Sequence, residues 1–110
     1  MQISEEITGG VVVIVVAGRI DSNTAGELEA VLPARIEQNP ATVVDLAEVA
    51  YVSSAGLRVL LKGAKVAKAR GVKLALAGLA PSVHEVFVIS GFSSIFTIAP
   101  DRAAALAAVG

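Results

Sequence analysis

The sequence predicts an α/β fold: a single domain over residues 1–110, built on a mixed, largely parallel β-sheet with alternating helices. Two observations carry that expectation. The runs Val11-Val12-Val13-Ile14-Val15-Val16-Ala17 and Thr42-Val43-Val44-Asp45-Leu46 are rich in β-branched residues and lack sustained polar alternation, as strands do when helices cover both faces of their sheet. Stretches of helical periodicity separate the strands, giving the order β-β-α-β-α-β-α-β-α. Right-handed crossovers in such a sheet bring the loops that follow the strands to a common edge.

Residues 2–8 alternate weakly and meet Gly9-Gly10, a pair that accepts the positive φ angles of a tight hairpin. Residues 11–17 form the return strand, and residues 18–23 read as a loop. Thr24, with Glu27 three residues on, predicts a capping box that starts a helix ending near Gln38. Pro33 inside it predicts a kink or a split. Asn39-Pro40 closes the segment, and residues 42–46 form a second buried strand that passes through a short loop to Ser53-Ser54. A helix from about Ala55 to Arg70 places Leu57, Leu60, Leu61 and Ala64 on its core side and Arg58, Lys62 and Lys65 on another face, with Gly71 as its stop. Beyond it come a strand at 72–77, a helix from Pro81 to about Ser90 with Gly91 as its cap, a strand at 95–99 and an alanine-rich surface helix from Asp101.

Composition narrows the function. The 110 residues are 55% hydrophobic, enough for one packed core and too few for two. Ten acidic and nine basic residues leave a net charge of −1, so there is no broad basic field to hold a nucleic-acid backbone. The lack of cysteine excludes a disulfide scaffold and thiolate metal sites. Mean hydropathy is high, +0.73, yet the longest purely apolar run, residues 11–17, falls far short of the roughly 20 residues of a membrane helix. With no basic-then-apolar leader, the expected address is the cytoplasm.

The most informative segment is residues 43–61, where a buried strand leads to a helix with Ser53-Ser54 at the joint. A hydroxyl there meets the unpaired N–H groups of a helix N-terminus. Two roles fit: one serine caps the helix, or one is a phosphate acceptor whose new charge a partner reads. Asp21, which also follows a strand, either forms an Asx turn into Ser22-Asn23 or orients the serine. Gly56 allows close backbone approach near a partner, and Arg58, Lys62 and Lys65 are either a solvated stripe or the contact for an acidic surface. Catalysis fits poorly. A G-x-S-x-G elbow centred on Ser54 needs glycine where Val52 stands, and the only histidine, His84, lies early in a surface helix. One histidine and scattered carboxylates offer no metal-ligand spacing, and no phosphate-loop motif is present. Neither an enzyme nor a cofactor is expected.

The stretch Tyr51-Val52-Ser53-Ser54-Ala55-Gly56-Leu57-Arg58-Val59-Leu60-Leu61 resembles the signature of STAS domains, specifically of bacterial anti-sigma factor antagonists. Gly18-Arg19-Ile20-Asp21 followed by Thr24-Ala25 resembles the family's G-x-[LI]-D-x-x-[TN]-[AS] loop, and Ser90-Gly91-Phe92 with Ile95-Phe96 resembles its S-G-[LF] turn before the last strand. The resemblance implies a regulatory binding module. Unphosphorylated, it binds a serine-kinase anti-sigma factor and frees a sigma factor that it meets only indirectly; phosphorylation by that kinase ends binding, and a phosphatase acts on the phosphoserine. It carries the phosphoacceptor to Ser54, on a protein expected to be monomeric when free; the residues expected to form the partner surface are Asp21, Ser53, Ser54, Gly56, Arg58 and Lys62. The chain departs from the common D-S-[ST]-G-L: Ser53 replaces the aspartate and Ala55 the second hydroxyl residue, which makes Ser53 a second candidate acceptor. STAS domains outside kinase control, such as subunits of lipid-transport complexes, supply the alternative of an interaction subunit without a phosphorylation switch.

Overall fold

A computed structural model describes residues 1–110 throughout. Its elements are β1 (Gln2–Thr8), β2 (Val11–Ile20), α1 (Ala25–Gln38), β3 (Ala41–Val52), α2 (Ser54–Arg70), β4 (Lys73–Ala77), α3 (Pro81–Ile89), β5 (Thr97–Ala99) and α4 (Arg102–Val109). The five strands lie in sequence order across one sheet, β1 antiparallel to β2 and the other neighbours parallel. The mixed, largely parallel α/β class is therefore as predicted. Gly9 and Gly10, at φ 56° and 80°, close the first hairpin with Thr8 opposite Val11, the backbone signature of a primed turn. No helix is long and apolar enough to cross a membrane.

Successive side chains of a strand face opposite sides of its sheet, and here the two sides differ. Val12, Ile14, Val16, Val44 and Leu46 join a large core beneath α1, α2 and α3, whereas Val11, Val13, Ala41 and Val43 join a smaller one beneath α4. Alanines from β3, β4 and β5 line the smaller face, so an alanine-rich helix can lie close against it. The C-terminal segment is thus more than a surface helix, since its Ala105 and Val109 are buried. Asp101 caps it by accepting the Ala104 N–H at 2.8 Å, and Arg102 donates to Asp45 at 2.9 Å.

Several local expectations are corrected. Thr24 forms no capping box; α1 begins at Ala25 without a side-chain cap from it, because its hydroxyl is drawn back toward Asp21 and Arg19. Pro33 does not split α1, whose wholly buried Leu28, Leu32 and Ile36 hold both halves against the sheet. The C-terminal strand is only three residues long. Phe96 turns instead into the core, edge-on to Phe87 with ring centroids 5.2 Å apart, and the Ile95 N–H bonds the Phe92 carbonyl at 3.0 Å.

The largest correction positions the site. Residues 18–20 and 47–52, expected as loop, are strand. β3 pairs with β4 only as far as Asp45 opposite Ala77, while β2 and β3 stay paired to Ile20 opposite Val52. A two-stranded arm therefore outruns the sheet. Register shifts between Val15 and Ala17 and between Gly18 and Arg19 mark bulges in it, and beside the first the Asp45 carboxylate accepts the Ala47 N–H at 3.0 Å. Extra residues break the two-residue alternation by which a strand is read.

Candidate functional site

The arm delivers the serine pair to the edge of the molecule. Ser53 takes extended backbone angles, and its hydroxyl accepts the Gly56 N–H at 3.2 Å, the bond of a helix N-cap. Its own N–H donates to the Ile20 carbonyl at 2.8 Å, tying the start of α2 to the end of β2. Ser54 is the first residue of the helix and is exposed; its hydroxyl makes no bond within the protein. The alternatives left open by the sequence are thus divided between the two residues: Ser53 caps, and Ser54 is free.

Gly56 is buried. A methyl group on it would sit 2.5 Å from Ile20 Cγ2 and 2.9 Å from the Ile20 carbonyl oxygen, distances no real Cβ tolerates. The close approach that calls for glycine is therefore internal, between α2 and β2, and not to a partner.

Asp21 follows Ile20 and closes a turn. Its Oδ1 accepts the N–H groups of Asn23 and Thr24 at 3.0 and 3.1 Å, while the Thr24 hydroxyl accepts the Asp21 N–H at 2.9 Å. Partial withdrawal from water pushes this carboxyl up. The Thr24 hydroxyl, the Asn23 and Thr24 amides and the Arg19 guanidinium outweigh that push and hold it below the ordinary aspartate value. Since it bonds to neither serine, Asp21 shapes the loop and does not orient Ser54. Arg19 lies 3.9 Å from the Asp21 carboxylate and stacks over the Tyr51 ring at 4.3 Å, a cation–π contact across the arm.

The third motif comes from α3. Gly91, at φ 76°, lets the Phe92 N–H reach the Phe87 carbonyl at 2.9 Å and its own N–H reach that of Val88 at 3.1 Å, the Schellman arrangement of a helix end. That turn carries Ser90 and Phe92 to the side of α2. With Ser54, Leu57, Arg58 and Leu61 they line an open depression of about 390 Å³.

The predicted basic face divides. Lys62 is held by Glu29 of α1 at 3.0 Å, so it braces two helices; Arg58 and Lys65 are exposed, with no carboxylate in ion-pair range. Leu57 and Leu60 are core, as expected, while Leu61 is half-buried in the wall of the depression. His84 lies on α3 beside a different hollow, lined by Leu79, Ile98, Ala99 and Pro100, so no nucleophile–base pair forms with Ser54. Sequence reasoning missed Ser90 and Phe92 as neighbours of Ser54, although it had singled out their motif. It also missed the Arg19–Tyr51 stack, for which the only signal was that both residues belong to motifs.

Comparison with known proteins shows the family. The family described as STAS domain matches residues 2–105. The chain belongs to the STAS domain family. Among curated relatives of this STAS protein, a Bordetella bronchiseptica protein provisionally named anti-sigma factor antagonist BtrV is 42% identical over 109 residues, 98% of this chain and 94% of that one. The anti-sigma-B factor antagonist of Listeria monocytogenes is 35% identical over 86 residues, 77% of this chain and 75% of its own. A crystal structure of an anti-sigma factor antagonist from Mycobacterium paratuberculosis superposes with a TM-score of 0.87 at 29% identity, covering 98% of this STAS chain and 92% of its own.

Proposed function

We propose that this STAS domain is an anti-sigma factor antagonist: it binds a serine-kinase anti-sigma factor through the surface around Ser54, and phosphorylation of Ser54 by that kinase ends the complex. The observation that carries the reading is the division of labour at the start of α2, where Ser53 is committed to the cap and Ser54 presents an unbonded hydroxyl to solvent. The names of the relatives support the regulatory class.

The physics of such a switch is local. Phosphoserine brings about −1.5 to −2 charges near neutral pH, taking the domain from −1 to roughly −3. At the N-terminus of a helix that charge is favoured by a few tenths to about 1 kcal/mol, so the fold survives. The cost falls on the complex. A phosphate enclosed by an interface without new partners loses hydration worth several kcal/mol, which is more than a hundredfold in affinity.

The experiment is binding by Ser54 variants. Ser54→Ala should hold the kinase persistently in the presence of ATP, and Ser54→Asp should bind weakly while keeping a near-normal melting curve. Equal binding by Ser54→Asp and the unmodified protein would favour an interaction subunit without the switch.

A further inference from the structure

Most of the basic side chains are neutralised within the molecule. Arg19, Arg35, Lys62, Arg70 and Arg102 each face a carboxylate. Arg58, Lys65, Lys68 and Lys73 do not; Lys73 stands at the start of β4, while the other three are exposed along α2, Arg58 and Lys65 seven residues apart and Lys65 and Lys68 three, so they share one helical face. That face forms the wall of a groove. The depression beside Ser54 ends at Leu61 and continues into a second hollow of about 440 Å³, lined by Leu61, Ala64, Lys65, Lys68, Ser94 and Ile95. The 90–95 turn forms the opposite wall. Of the five large hydrophobic residues exposed on the protein, Val88, Ile89 and Ile95 lie at the end of α3 and in this turn.

An apolar floor bordered by unpaired cations, on a chain of net charge −1, marks a place where something acidic and partly apolar is received. We infer that the groove docks an acidic amphipathic helix of the partner protein. Its carboxylates face Arg58, Lys65 and Lys68, and its apolar side chains, recurring once per turn, rest on Leu61, Phe92 and Ile95. No strand lines the groove, so it offers no backbone edge to an extended peptide. A nucleic acid would leave the apolar floor unused. The inference rests on the binding-module reading and adds to it a second contact, continuous with Ser54, that sets partner choice by charge.

The probe is a synthetic amphipathic helical peptide of about four turns, glutamates flanking a leucine stripe, titrated into the isotope-labelled protein and followed by amide NMR shifts. Saturable shifts are expected at Arg58, Leu61, Lys65, Lys68, Phe92 and Ile95. The double variant Lys65→Glu/Lys68→Glu, changed only at exposed positions, should bind at least about tenfold more weakly. Binding should weaken with salt, and a lysine-for-glutamate version of the peptide should not bind. Shifts elsewhere, no saturable binding, equal binding of the two peptides, or tighter binding of a short DNA duplex would each overturn the inference. The peptide titration needs no kinase, ATP or phosphate, so a failure of the phosphorylation switch and a failure of the groove give different results.

Discussion

The two halves of the β2–β3 pair behave differently, though they are one continuous ladder. In the first half Val13, Ile14, Val43 and Val44 have no exposed surface, β4 continues the sheet, and helices cover both faces. In the second half the pair runs on alone through two bulges, and polar or exposed residues (Arg19, Glu48, Tyr51) alternate irregularly with buried ones. The first half is buried on both faces; the second keeps Ile20, Val49 and Val52 in the larger core while most of its other side chains are exposed, and it carries Asp21 and Ser53-Ser54. The difference teaches that in this fold the same strands pass from two-sided burial to one-sided burial, and that the exposed side of the second stretch is where the site is presented.

Substitutions in the two halves should therefore differ most. Val44→Asp buries an unpaired charge and should destabilise by several kcal/mol in urea unfolding, whereas Glu48→Gln in the arm should stay within about 0.5 kcal/mol. An unchanged melting temperature for Val44→Asp would erase the distinction. Gly56→Ala probes the seam where arm meets helix. Its methyl would press on a backbone oxygen as well as a side chain, so a loss of about 1–3 kcal/mol is expected. A neutral result would mean that α2 is not seated on Ile20.

How far the sequence was legible follows the same division. The uniform apolar runs announced the central strands, and Gly9-Gly10 and Gly71 announced a turn and a helix end, because each is a local signal. The arm does not read as strand because its bulges break alternation, and Pro33 predicts a kink or a split in a helix that tertiary burial keeps unbroken. At the site, motif positions could be read and contacts could not. That Gly56 serves Ile20, that Lys62 is held by Glu29, and that Ser90 and Phe92 border Ser54 all depend on elements distant in sequence.

The smaller predictions sharpen the contrast within the arm's end. Ser53→Ala removes the cap and should cost about 1 kcal/mol, while Ser54→Ala should change stability by less than about 0.5 kcal/mol; equal costs would deny the two serines separate roles. The smallest effect is on Asp21. Because its folded-state value is depressed, its contribution to stability is complete above the unfolded aspartate value of about 3.9 and is lost as pH falls through the lower folded value. Carboxylate titration by NMR should find Asp21 below that ordinary value, and Asp21→Asn should abolish this share of the acid-side decline.

The central claim is that Ser54, and not its neighbour, is the switch. Incubation with serine-kinase anti-sigma factors and ATP, followed by mass spectrometric location of the added phosphate, tests it most directly. Phosphate on Ser54 alone, with Ser53 unmodified even in Ser54→Ala, is the predicted result. Phosphate on Ser53, or on neither serine with a kinase that binds the domain, would contradict it.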